Sequence, residues 1–386
     1  MSNNNLILLN SDEKIRRINK VTTEMIAAGV DMLLIADNAN KFYLTGRVFA
    51  GWLTINTAGI LRAFVRRPIN LKGEEVTFVR KVEDVALDGN VIGLENATLS
   101  AAEYLRISAM LNNQSAVDAS NIMRKSRAVK TDSEIALISE SGQKQDSVYR
   151  RIPSIYRDNM TDIDLQIAIE CELRKEGCLG QFRISGNSME LFMGNILVGD
   201  NADNPTPYDF AMGGAGTNPS LPVGANGSMI KPGNSIMVDA NGNFTGYMTD
   251  MTRTFALGDI SEEAIRAHKC SIDICNRLAQ IGVPGAKASA LYEEAIHMAE
   301  EAGLADFFMG HRQKAGFVGH GVGIEINEAP VIAPRSKDIL CIGQVIALEP
   351  KFVIPGTGAV GIENTYVVED SGMRCLTPTP PEILPL

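Results

Sequence analysis

Apolar and polar residues change period along this chain, and the changes mark its parts. Residues 12–28 read as a charged helix, and the apolar runs 32–35, 42–44 and 52–60 follow it. Helical and strand patterns that alternate in this way predict a small α/β domain. Over residues 118–130 the pattern loosens into a polar, basic stretch. Thr131 to Glu134 then has the form of a capping box ahead of Ile135, Leu137 and Ile138. A domain boundary is therefore expected there, with an amino-terminal domain over 1–128 and a larger one over 129–386.

The larger part carries three further helix patterns, 161–176, 261–281 and 288–302, stopped by Gly177, Gly282 and Gly303 respectively. Between and after them the pattern becomes strand-like. Residues 236–240 read as a buried strand, Asn241-Gly242-Asn243 as a turn, and 244–255 as the returning strand, so that Asp239 and Asp250 could face each other. A second hairpin runs over 345–354 and 359–368 around Gly356. Its register sets Glu349 opposite Glu363.

Like charges opposed across a strand pair are destabilising unless something bridges them. Asp239, Asp250, His320, Glu349 and Glu363 each lie in an apolar or glycine-rich stretch, where a lone charge is costly. Each has an ordinary alternative: Asp239 could begin a turn, Asp250 could cap, His320 could be a satisfied core histidine, and the glutamates could pair with Lys351 or Arg374. Taken together, clustered carboxylates would repel one another and take up protons unless positive charge holds them ionised. Hard oxygen ligands with one imidazole suit divalent manganese, iron, cobalt or zinc. The run Gly319-His320-Gly321-Val322-Gly323 lets backbone approach closely but fails as a phosphate loop, because no Lys-Ser or Lys-Thr follows it.

Composition narrows the field. The 386 residues are 45% hydrophobic, enough for a full core and two domains. A net charge of −10, from 36 basic and 46 acidic residues, argues against a nucleic-acid partner. Residues 1–10 show no basic leader, and the apolar run 6–9 is far too short for a membrane span, so a cytoplasmic location is expected. Six cysteines without finger spacing are expected to be buried free thiols. His268 and His297 fall on helix patterns and are expected at the surface.

The motifs resemble those of the pita-bread metallopeptidase family, which includes methionine aminopeptidase, aminopeptidase P, prolidase and the metal-free creatinase. The matching segments are Val238-Asp239, Thr249-Asp250-Met251-Thr252-Arg253, Gly319-His320-Gly321-Val322-Gly323, Leu348-Glu349-Pro350 and Gly361-Ile362-Glu363-Asn364. Gly29-Val30-Asp31, Leu33-Leu34-Ile35 and Tyr43-Leu44-Thr45-Gly46 resemble the accessory domain of the creatinase and prolidase branch. The resemblance implies an α/β (α+β) chain with a creatinase-like amino-terminal domain and a carboxy-terminal pita-bread domain. It implies two divalent metal ions (Mn, Co, Zn or Fe) on Asp239, Asp250, His320, Glu349 and Glu363, a bridging hydroxide as nucleophile, and Glu349 as proton shuttle. An exopeptidase or dipeptidase of Xaa-Pro aminopeptidase or prolidase type follows, acting on small peptides, with a homodimer implied by the same branch.

Three departures from the family pattern bear on substrate. Val223 follows Leu221-Pro222 where the peptidases have a histidine, Asn327 precedes Glu328-Ala329-Pro330 where they have another, and Gly361 stands where prolidase-like members carry an arginine. Asn327 can still donate to a carbonyl, and His311 is a candidate replacement for a lost imidazole. With ligands kept and pocket groups changed, a non-peptidase metal-dependent hydrolase or a lyase on the same fold is the alternative.

Overall fold

In the computed structural model, residues 4–180, 182–184 and 193–386 are described. They divide into two compact units, Met1–Arg127 and Ala128–Leu386.

The first unit is a six-stranded mixed sheet. Its strands are β1 (Met32–Ile35), β2 (Ala50–Asn56), β3 (Leu61–Arg67), β4 (Val76–Phe78), β5 (Val91–Leu94) and β6 (Ser115–Asp118), in the order β4-β3-β2-β1-β5-β6. Its helices are α1 (Ser11–Ala28), α2 (Asn38–Thr45), α3 (Ala101–Ser108) and α4 (Ser120–Ala128). The apolar run 42–44 belongs to α2, because Asp37 caps that helix through the Asn40 amide. The polar, basic stretch before the boundary folds as α4.

The second unit opens with α5 (Asp132–Tyr149), where Thr131 and Glu134 form the expected capping box. A short turn of helix, α6 (Ile152–Ile155), and the longer α7 (Asp162–Lys175) follow. A four-stranded sheet is built from β7 (Gly194–Val198), β8 (Ser235–Asn243), β9 (Met248–Ala256) and the last strand of the chain, in the order last-β9-β8-β7. Alternation at period two sorts its faces. Val238, Ala240, Met251 and Phe255 turn to a core shared with Tyr149, Leu165, Ile169 and Leu173 of the helices. Asp239, Asn241, Asp250 and Thr252 turn the other way.

Helices α8 (Glu262–Ile281) and α9 (Ala288–Glu301) back the remaining strands. These are β10 (Gly319–Gly321), β11 (Glu328–Ile332), β12 (Val345–Leu348), β13 (Lys351–Ile354), β14 (Gly358–Gly361), β15 (Asn364–Glu369) and β16 (Gly372–Cys375), followed by the last strand, β17 (Leu384–Pro385).

Three local expectations are corrected here. The turn between β8 and β9 lies at 244–247, not at Asn241-Gly242-Asn243, which stay in β8. Gln145 and Thr249 bond across that region and hold it extended. The cysteines are free, but only Cys178, Cys270 and Cys275 are buried. His297 is exposed, whereas His268 is buried with Nε2 2.7 Å from the Pro381 carbonyl. Burial lowers its pKa to about 4, so it is a neutral core imidazole. No described helix is long and apolar enough to cross a membrane.

Candidate metal centre

Strand register brings the acids together. Asp239 pairs with Thr252 and Asn241 with Asp250, so the two aspartates are diagonal neighbours on one face rather than directly opposed. In the second hairpin, Leu348 pairs with Asn364 and Lys351 with Gly361. Glu349 and Glu363 lie between these two ladders, and the same register sets one against the other. Both leave the hairpin ladder for other partners. The Glu363 backbone pairs with Thr252 of β9 in both directions (3.2 and 3.3 Å), and the Glu349 amide donates to Val318 at 3.0 Å. These exchanges draw β9, the β10 segment and the hairpin around one point.

Close packing of backbone makes room for this. At Gly194 of β7 a Cβ would lie 2.1 Å from the Asp239 carbonyl. At Gly361 the φ is +140°, and a Cβ would lie 2.7 Å from the Pro350 carbonyl and 3.0 Å from the Lys351 Cα. A side chain there, arginine included, would force β13 and β14 apart.

His320 enters from β10. Its Nε2 is 3.3 Å from Glu349 Oε1 and 3.8 Å from Asp250 Oδ2. Ligand atoms of Asp250, His320 and Glu363 all lie within 4.8 Å of one another. Lys351 enters from the opposite side. Its Nζ donates to Asp239 Oδ2 at 2.8 Å, Glu349 Oε2 at 2.9 Å and Glu363 Oε2 at 3.0 Å, and its side chain has no exposed surface. Read from the sequence, Lys351 is only an ordinary partner for a glutamate. In the fold it touches three of the four acids.

The charges are strongly interdependent. Burial, with the Asp239 charge adding, lifts the Asp250 carboxyl to about 7. Burial and the Asp250 charge likewise push Glu363 well above the usual carboxylate range. Burial also works against ionised Glu349, but Lys351 and His320 outweigh it and hold the carboxyl at about 2. For His320, burial disfavours the imidazolium, yet the Glu349 hydrogen bond and the surrounding carboxylates raise it to about 10. A cluster in which acids rise and a histidine is driven to its cationic form has more negative charge than its own cations neutralise. Glu363 Oε1 is also buried without a hydrogen-bond partner. An orphaned carboxylate oxygen beside an imidazole and a second carboxylate fits a divalent cation on Asp250, His320, Glu349 and Glu363.

Residues behind the ligands fix their positions. The fully buried Arg253 guanidinium donates to the Thr252 carbonyl at 2.7 Å, the Glu363 carbonyl at 2.8 Å and Asn364 Oδ1 at 2.7 Å, and also to the Thr379 and Pro380 carbonyls. Thr252 Oγ1 donates to Glu363 Oε2 at 2.8 Å. Thr365 Oγ1 accepts from the Asp250 amide and donates to its carbonyl, both at 2.9 Å. Arg253 and Thr252 sit inside one of the family motifs, but nothing local in the sequence marks them as braces.

The acids open into a cavity of about 90 Å³. Phe182, Ile184, Phe210, Phe317 and Ile326 give it an apolar wall, and Asn195, Asp209, Asn241 and Asn327 a polar one. Asn327 is thus at the cavity as expected. His311 is not among the lining residues: its Nδ1 is 2.9 Å from Asp203 Oδ2, which also forms an ion pair with the Arg312 guanidinium at 3.2 Å. Asp203 thus holds the imidazole away from the residues that line the cavity. Val223 is buried and also outside the lining.

Comparison with known proteins agrees with this architecture. Residues 136–370 match metallopeptidase family M24, and residues 17–129 match the creatinase/prolidase N-terminal domain. The chain is 26% identical to the uncharacterized peptidase YqhT of Bacillus subtilis, covering 92% of this chain and 96% of that one. It is 23% identical to an Xaa-Pro dipeptidase of Pyrococcus horikoshii, covering 95% and 98%. Among solved structures, an Xaa-Pro dipeptidase from Bacillus anthracis superimposes with a TM-score of 0.79 at 23% identity, covering 97% and 100%. With the family match spanning well over half its length and the clustered acids where two hairpins meet, the chain belongs to metallopeptidase family M24 and carries that family's creatinase-like N-terminal domain.

Proposed function

We propose that this chain is a metal-dependent dipeptidase or aminopeptidase acting on small peptides of Xaa-Pro type. The observation that carries the proposal is the convergence of Asp250, His320, Glu349 and the unpartnered Glu363 Oε1 at the floor of an apolar-walled cavity. The names of the relatives, Xaa-Pro dipeptidase among them, support the substrate class. A bound divalent cation supplies Lewis-acid polarisation of the scissile carbonyl and lowers the pKa of water. Manganese, cobalt, zinc and iron all suit this ligand set.

The protein's own groups supply the rest. Glu349, held ionised by Lys351, accepts a proton from the attacking water and returns it to the leaving amine. Asn327 donates to a substrate carbonyl, and the wall of Phe182, Phe210 and Phe317 receives a prolyl ring while excluding water. A cytoplasmic, homodimeric protein completes this reading.

The test is a dipeptide panel, including Ala-Pro and Pro-Ala, assayed with the manganese-, cobalt- and zinc-loaded protein. Ala-Pro is expected to be cleaved, and Glu349→Gln to lower the rate by about 10²- to 10⁴-fold. A second reading, a non-peptidase hydrolase or lyase, is favoured by one observation. The described lining residues include no arginine or lysine to receive a peptide carboxylate, while Asp209 adds negative charge. Metal-loaded protein that cleaves no dipeptide would establish that reading instead.

A further inference from the structure

The four acids and the imidazole of the centre are arranged as two compartments, and a lysine fills one of them. We infer that the Lys351 ammonium stands in place of one divalent cation, so that the centre binds a single metal ion per chain. This deepens the metal-dependent reading above and rests on it.

An ammonium has three N–H donors and no acceptor. All three find carboxylate oxygens, on Asp239, Glu349 and Glu363, at 2.8 to 3.0 Å. These are the lengths of charge-assisted hydrogen bonds. The space enclosed by those oxygens is therefore filled by nitrogen. A metal there would need the same oxygens at about 2.0–2.2 Å, so ammonium and ion exclude each other.

The two glutamates partition the centre. Oε2 of each points to Lys351, while Glu349 Oε1 lies 3.3 Å from His320 and Glu363 Oε1 has no partner. The second compartment, where ligand atoms of Asp250, His320 and Glu363 lie within 4.8 Å of one another and Glu349 Oε1 lies 3.3 Å from His320, is the one left for an ion. Asp239, which the sequence assigns as a metal ligand, instead spends its Oδ2 on Lys351.

Swinging the lysine aside is not open to it. Pro350 precedes it, Gly361 lies against it across the strand pair, and its carbonyl accepts from the Met309 amide at 2.8 Å. With no exposed surface, the ammonium has no water to move into. Removing it from three carboxylates without replacement would leave buried, unpaired charge.

The experiment measures bound metal, not turnover. The full-length protein is equilibrated with excess manganese, passed through a desalting column and assayed by mass spectrometry for ions per chain, alongside Mn(II) electron paramagnetic resonance. Wild type is expected to hold one ion with the six-line signal of isolated Mn(II). Lys351→Ala is expected to double this to two ions, with the broadened signal of a spin-coupled pair. Asp239→Asn is expected to keep one, because Asp239 serves the lysine. Two ions on the wild type would overturn the inference, as would one ion on a folded Lys351→Ala protein. A wild type and Lys351→Ala that both bind none would instead remove the metal-dependent reading itself. Should Lys351→Ala not fold, the wild-type and Asp239→Asn stoichiometries decide alone: in a two-ion centre the wild type holds two and Asp239→Asn loses one.

Discussion

Two buried lysines of the larger unit behave as opposites. Lys130 meets Glu328 at 3.0 Å, with both side chains almost fully covered. The Glu328 carboxylate also accepts from the Ile324 and Glu325 amides, and Lys130 from its other side donates to the Ala128 carbonyl. Among the described contacts, the Lys130 ammonium faces a single carboxylate, and backbone groups share in solvating both. Lys351 instead faces three carboxylates, with a fourth, Asp250, close behind. A balanced pair is complete as it stands. An unbalanced cluster calls for further positive charge, and that demand is what separates a structural ion pair from a binding centre.

Breaking the balanced pair gives the largest effect on stability. Lys130→Met takes from the buried Glu328 carboxylate its 3.0 Å ammonium contact and is expected to destabilise the protein by about 3–5 kcal/mol in urea unfolding, with metal content unchanged. Adding Glu328→Leu should recover much of that loss, since the buried carboxylate goes too. A Lys130→Met protein as stable as wild type would show that the pair is not desolvated as the structure has it.

The brace behind the unbalanced cluster comes next. Arg253→Met removes charged donors from the Glu363 carbonyl and Asn364, with an expected loss of about 1.5–3 kcal/mol and a weaker metal affinity by titration calorimetry. An unchanged affinity would mean that Glu363 is held without it.

Acidity sharpens the contrast further. Asp250, near 7, and His320, near 10, hold protons that must leave before either can serve as a ligand. As pH falls through about 7, protons compete more strongly and ion affinity falls, by about tenfold per pH unit for each proton displaced. Calorimetry in buffers of different ionisation enthalpy should count at least one proton released on binding at about pH 6.5. No release would contradict the raised carboxyl. Metal content is the readout that Lys130 and Glu328 should leave untouched.

The smallest effect belongs to the exposed His311, which pairs with the buried Asp203. Solvent screens it, so His311→Ala should cost less than about 1 kcal/mol and leave peptide turnover within about twofold of wild type. A large fall in turnover would return His311 to the cavity.

Much of this centre is legible in the order of the residues alone. Period-two strands fix which residues share a face, and the hairpin around Gly356 sets the register that faces Glu349 with Glu363. Caps at Thr131 and glycine stops at the ends of helices are equally local, so they too can be read directly. The turn after Asp239 escapes such a reading because Asn241-Gly242-Asn243 has turn chemistry, while Gln145, about a hundred residues away, holds it in a strand.

The sequence by itself therefore determined the candidate acids and imidazole, the two-domain order and the facing of the glutamates, since each can be read from a motif, a hairpin or the order of patterns along the chain. Only the tertiary structure decided where the long side chains go. Lys351 could have reached solvent from an exposed strand, and His311 could have reached the cavity. Their directions are settled by burial and by partners distant in sequence: Asp239 for the lysine, Asp203 for the histidine. Flexible stems carry charge to whichever oppositely charged group the packed fold brings within reach, and no local pattern encodes that choice.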